Sequence, residues 1–263
     1  MAGFLRQGPY RFLLTQRWAG LLAVAVVVAT GCVAMGAWQV DRLSQRHARN
    51  DLLERTLDTR PVAVADVLRV GRGPAAADQF TRIRATGGYD VDDQLLVRTR
   101  LLEGQVGFHV LTPLVTDAGP ALLVNRGWVP RGATPTAVPK VPAPPRGRVT
   151  VVGRVRPSEP ASTTGEPPPG QVTRIDVPAI AGTLPYDVFG GYVELVAERP
   201  SPGTAPRLLP APEPTEGPHL AYAFQWFLFA GLALGGYVVL ARREAADREA
   251  ARREPAPARV AGV

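Results

Sequence analysis

The chain has three histidines, and one stands where it could hold a metal. His219 directly precedes LAYAFQWF at one end of an apolar run, a position from which an imidazole can ligate iron within an aromatic pocket at a membrane surface. An interfacial side chain turned toward the headgroups is the competing reading. His47 lies among charges and reads as solvated, and His109, in GFHVLTPL, reads as a half-buried structural residue of a strand. Trp38 and Trp226 each stand near the end of an apolar run beside a glutamine, Gln39 and Gln225. Packed side by side, the two runs would present a paired aromatic and amide platform. Bilayer depth alone also explains tryptophan at such places.

Enzyme signatures are absent. None of the four serines (Ser44, Ser158, Ser162, Ser201) sits in a nucleophile elbow, and there is no HExxH, P-loop or phosphate-binding GxGxxG. Asp92-Asp93 follows Gly87-Gly88-Tyr89 and reads as a turn. Cys32 is the only cysteine, so no disulfide can form within the chain, and methionine occurs only at Met1 and Met35. A thiolate or thioether copper site is excluded, which favours binding or assembly over catalysis.

Two uncharged runs must position these residues: Trp18–Trp38, 21 residues, and Leu220–Ala241, 22 residues. Each covers roughly 30 Å as a helix, the thickness of a hydrocarbon core. Arg6, Arg11 and Arg17 precede the first run, and Arg242, Arg243, Arg248, Arg252, Arg253 and Arg259 follow the second. By the positive-inside rule both tails are expected in the cytoplasm, which puts the central segment outside it. The net charge is +7, but the tails carry a surplus of five and the segment between them only two, so nucleic-acid binding is rejected. Ala29-Thr30-Gly31-Cys32 resembles a lipoprotein cleavage box after a basic stretch. The apolar run continues six residues past Cys32, however, and Ala29 suits the −3 position poorly, so an uncleaved anchor is expected.

The expected fold is a membrane protein, a two-helix transmembrane hairpin with a β-rich extracytoplasmic domain between the spans. The divisions are 1–17 (cytoplasmic tail), 18–38 (first span), 39–219 (β-rich domain), 220–241 (second span) and 242–263 (basic cytoplasmic tail). The first span should continue as a charged helix to Arg60-Pro61, with a short helical turn within Ala63–Val70. Strands are expected from Phe80 to Gly87-Gly88 and at Leu95–Leu102, Gly107–Val115, Ala121–Val129, Arg148–Val155, Val172–Val177 and Asp187–Glu198. The last contains a bulge or turn at Gly190-Gly191, and a hairpin connection falls at Asp117–Pro120. Such strands suggest a meander closing into a small barrel or curved antiparallel sheet. Proline-rich loops are expected at 130–145 and 159–170, and Pro200–Pro218 as an extended tether. Gly231 and Gly235 on the second span, and Cys32 and Gly36 on the first, are spaced for close helix contact.

Read in order, several segments resemble the surfeit-locus family of cytochrome oxidase assembly proteins. They are Gly36-Ala37-Trp38-Gln39-Val40-Asp41-Arg42, Gly88-Tyr89-Asp90 before Leu95-Val97-Arg98, Gly107–Leu114, Leu123–Pro130 (LVNRGWVP) and His219–Phe227 (HLAYAFQWF). The resemblance covers roughly residues 12–243. It implies a non-enzymatic maturation factor for haem-copper terminal oxidases, active while haem a enters the catalytic subunit. His219 matches the family position proposed as a haem ligand, with Trp38 and Trp226 expected on the ring face and Gln39 and Gln225 beside them. Arg42, Arg126, Gly127, Trp128 and Tyr222 fall within the shared motifs as structural or partner-contact residues. Implied partners are the oxidase catalytic subunit, the enzyme that makes haem a, and the lipid bilayer. One lysine among 30 basic residues, with abundant Ala, Pro and Gly, suggests a GC-rich bacterial genome and so a bacterial plasma membrane. The alternatives are a two-span structural or sensory protein and a lipid-anchored binding domain with no haem role. The proline-rich segments depart from the family pattern.

Overall fold

The computed structural model describes residues 10–57, 59–132, 139–161, 165, 167–215 and 217–253. Arg6 and Arg259 of the tails, residues 133–138 of the first proline-rich segment, residues 162–164 and 166 of the second, and residue 216 of the expected tether lie outside the described residues. After a 3-10 turn at Arg11–Leu14, the elements are α1 (Gln16–Thr56), β1 (Val62–Ala63), α2 (Val64–Val67), β2 (Arg82–Tyr89), β3 (Leu95–Leu102) and β4 (Gln105–Thr116). There follow β5 (Ala121–Pro130), β6 (Arg148–Pro157), β7 (Gln171–Val172), α3 (Val177–Ala181), β8 (Val188–Arg199) and α4 (His219–Arg253). The chain divides into a helical unit, Met1–Ala48 with Thr215–Val263, and a β unit, Arg49–Pro214.

In the helical unit, α1 and α4 are both long and apolar enough to cross a membrane. Val24, Val27, Val28, Phe224, Leu228 and Leu232 are exposed along them, a pattern suited to lipid and costly in water. The architecture is a two-span membrane protein with a central β domain. With 41 residues, α1 is about 60 Å long, roughly twice a hydrocarbon core, so its charged second half extends past the span.

In the β unit, the strand order is β1-β2-β6-β8-β5-β4-β3-β7, and β2 also pairs with β4. That extra pairing closes β2-β6-β8-β5-β4 into a five-stranded barrel. Four of its pairings are antiparallel, and β5–β8 is parallel. The expected meander is real only over β3-β4-β5; β8 returns beside β5 after a long excursion. Ile83, Leu114, Leu122, Val124, Val151 and Val193 fill one core. Val97, Leu111 and Leu123 point to the opposite face, where Ile175, Val177 and Ile180 cover them.

Three local expectations change. Gly87-Gly88 does not end β2: there the strand passes from β6 to β4, and a Cβ on Gly87 would lie only 2.0 Å from the Val115 carbonyl oxygen. Val172–Val177 is not one strand. Only Gln171–Val172 pairs with β3, because Asp176 caps α3 through the Ala179 N–H (3.2 Å) and Pro178 suits a helix start but not a ladder. Of the bulge or turn expected at Gly190-Gly191, the bulge forms: the register of β8 against β5 slips there, and the Gly190 N–H donates to the Arg69 carbonyl at 2.8 Å. The described part of the tether within the β unit is docked on the barrel. Its Arg207 bridges Trp128, and Arg154 Nη2 donates to the carbonyls of Leu209 (3.0 Å) and Pro210 (3.3 Å).

Candidate functional site

Helical periodicity decides which expected site residues meet in the helical unit. Ala29, Cys32, Gly36 and Gln39 recur on one face of α1, while His219, Ala223, Trp226, Ala230 and Ala233 recur on one face of α4. Ala29, Cys32 and Ala230 form a buried cluster on which Trp226 and Ala233 pack. Gly36 admits the Phe227 ring so closely that a Cβ there would lie 2.8 Å from it. At the far end Trp18 meets Tyr237 edge-on, with ring centres 5.8 Å apart. The close contact expected at Gly231 and Gly235 is not made: nothing lies within 4 Å of a Cβ built on either.

At the other end of this seam, His219 Nδ1 lies 2.8 Å from Gln39 Oε1. Gln39 is buried and His219 half-buried, as the first residue of α4. Two residues earlier, Gly217 has a left-handed backbone (φ +66°), and a Cβ on it would stand 3.4 Å from His219 Nε2.

The wider platform does not assemble. Trp38 precedes Gln39 by one residue, hence about 100° around the helix; it is 47 % exposed, and the Arg42 guanidinium sits over its ring at 5.5 Å. Gln225 and Tyr222 are likewise exposed. Trp226 is in the seam but two turns from His219, edge-on to Phe229. Of the residues expected around a haem, the structure joins Gln39 and His219.

The remaining motif residues converge inside the β unit. Asn125 Nδ2 donates to His109 Nδ1 at 3.1 Å, and the Gly127 N–H donates to Asn125 Oδ1 at 3.2 Å. Burial, with Arg100 nearby, holds the His109 imidazole down to about 4, so it is neutral and structural. Trp128 is buried with Nε1 donating to the Arg100 carbonyl (2.9 Å), and it lies where a Cβ on Gly107 would intrude. Arg126 is fully buried: Nη1 donates to Gln94 Oε1 (3.3 Å) and the Pro142 carbonyl (3.2 Å), and its guanidinium faces the Tyr89 ring at 5.5 Å. The Tyr89 hydroxyl donates to Glu198 (2.9 Å); burial and that carboxylate push its pKa far up, while burial lowers that of Arg126. Arg126 and Trp128 are therefore both buried within the β unit, Trp128 against β3 and the Arg207 strap. Glu198 and Gly217 carried no sequence signal, since an acid in a strand and a glycine before a helix are commonplace. His47 is exposed on α1. Among the described residues, no group of three His, Cys, Asp or Glu could hold a metal ion.

The model of the SURF1 family matches residues 26–231. An uncharacterised SURF1-like protein of Mycobacterium tuberculosis is 35 % identical over 252 residues, covering 93 % of this chain and 91 % of the relative. A SURF1-like protein of Monosiga brevicollis is 28 % identical over 252 residues (90 % and 92 %). Surfeit locus protein 1 of Takifugu rubripes is 27 % identical over 141 residues (48 % and 57 %).

Proposed function

This chain belongs to the SURF1 family, and we propose that it is a non-enzymatic assembly factor of a haem-copper terminal oxidase, handling haem a at the membrane surface while the catalytic subunit matures. The observation that carries this reading is the His219–Gln39 pair at one end of the helix seam. Haem a is a large apolar ring with a farnesyl tail, and handling it beside a bilayer keeps that surface from water. The residues present fit such a group. His219 is a half-buried imidazole, the chemical type that ligates haem iron, and Gly217 sets no side chain against its Nε2 edge. When bound, haem would supply an iron able to take a nitrogen ligand. The chain's part is to offer that nitrogen, and the lipid-facing side chains flanking the seam provide apolar surroundings.

Arg11, Arg17, Arg242, Arg243 and Arg248 support an orientation with both termini in the cytoplasm of a bacterial cell and the β unit outside it. In this reading the β unit is the surface offered to the catalytic subunit, or to the enzyme that makes haem a. Deleting the gene should lower cellular haem a and oxidase activity, with wild type restoring both and His219→Ala restoring neither in full. Unchanged haem a and oxidase activity in the deletion strain would overturn the proposal.

A further inference from the structure

The polar partner of His219 comes from the other membrane helix. Gln39 Oε1 can only accept, so a hydrogen bond at 2.8 Å requires the proton on Nδ1, and a neutral ring so held carries its lone pair on Nε2. Gly217 approaches that same Nε2 edge: a Cβ on it would lie 3.4 Å from Nε2 and 3.3 Å from Cδ2. One ring nitrogen is tied to Gln39, and at the other Gly217 presents no side chain. Metal-bound histidines show this arrangement, the distal N–H donating to a carbonyl or carboxylate that fixes tautomer and ring orientation.

We propose that Gln39 is the positioning residue for ligation at His219: acting from α1, it fixes the imidazole tautomer so that Nε2, against which Gly217 sets no side chain, is the nitrogen offered to an iron. This rests on the reading of His219 as a haem ligand. It adds that the site belongs to two spans, because Gln39 reaches His219 only while α1 and α4 pack along the Ala29–Cys32–Ala230 seam. A ligand held this way is tuned from the first span. A neutral amide acceptor leaves the imidazole less electron-rich than a carboxylate would, so the glutamine also sets how strongly an iron would be held in its ferric form.

The test uses the full chain in detergent, with haem b as the probe. Nitrogen NMR of histidine-labelled protein without haem should show Nδ1–H, Nε2-lone-pair His219 in the wild type and a changed tautomer ratio in Gln39→Leu. On titration with haem b, His219→Ala should lose the Soret band of the wild-type complex. Gln39→Leu should bind about tenfold more weakly or worse, and Gln39→Glu should bind with a midpoint potential shifted negative. An unchanged Soret band in His219→Ala overturns the haem reading and this inference together. A band lost in His219→Ala, but unaltered in affinity and potential in both Gln39 variants, overturns the positioning role alone. So does an Nε2–H tautomer in the wild type. Gln39→Glu keeps size and an acceptor, so a folding defect in Gln39→Leu does not remove the test.

Discussion

Trp128 and Arg207 exchange both of their main-chain hydrogen bonds, the Trp128 N–H to the Arg207 carbonyl at 2.7 Å and the Arg207 N–H to the Trp128 carbonyl at 2.9 Å. The β5–β8 pairing ends at Asn125, so the rest of that edge of β5 would be open without this segment. The strap covers an edge that could otherwise recruit another strand. It also explains the Asn-Arg-Gly-Trp order: Asn125 ties the turn of the chain, Gly127 admits the strap and Trp128 anchors it.

Gly127 has no substitute at this place. Its φ is +129°, and a Cβ would lie 2.3 Å from the Arg207 carbonyl oxygen, a backbone atom that cannot swing aside. Gly127→Ala should cost about 2 kcal/mol or more. It should also release the Pro200–Pro214 strap, read as faster proteolytic cleavage there together with a lower thermal midpoint.

Arg126 is buried with Tyr89 and Glu198, and removing one charge from such a set is worse than removing both. Arg126→Leu should destabilise by about 3 kcal/mol, and adding Glu198→Gln should recover part of that loss. A double-mutant cycle in urea measures the coupling. Additive losses would mean that Glu198 does not balance Arg126.

Local strand signals were readable because each run of β-branched or aliphatic residues is bounded by Gly, Pro or Asp. Leu95–Leu102 emerges with the same limits as β3, and the Asp117–Pro120 hairpin forms as expected, with the Thr116 hydroxyl donating to the Pro120 carbonyl at 2.7 Å. Barrel closure was not readable. The parallel β5–β8 pair and the Gly87–Thr116 junction join residues distant in sequence, and no local pattern encodes which edges meet. At the site, sequence gave depth but not azimuth. Trp38 and Gln39 share a level, yet adjacent helix residues face different ways, so one enters the seam and the other leaves it.

His109 makes the β unit acid-sensitive. Its pKa is held near 4 in the fold against 6.5 when unperturbed, first by burial and then by Arg100. Between these values the unfolded chain binds more protons than the folded one, so stability rises with pH. The contribution is complete above about pH 6.5 and lost as pH falls toward 4. With partial exposure allowed for, it amounts to about 2 kcal/mol. His109→Gln should flatten the fall in urea midpoint between pH 6.5 and 4; an equal slope in both proteins would refute the assignment.

Gly36 should control helix pairing and, through it, the His219 site. The Phe227 ring already occupies the space of a Cβ at Gly36, and a side chain can yield to one methyl but not to a branched residue. Gly36→Ala should therefore be tolerated and Gly36→Ile should part α1 from α4. The lone thiol reports on this directly, because Cys32 is buried in the same seam, on the same helix as Gly36. In detergent, a maleimide should label Cys32 slowly in the wild type and in Gly36→Ala, but quickly in Gly36→Ile. If the seam holds Gln39 against His219, Gly36→Ile should also disturb the His219 tautomer although it touches neither residue. Rapid labelling with an unchanged tautomer would show that the Gln39–His219 contact survives without the seam.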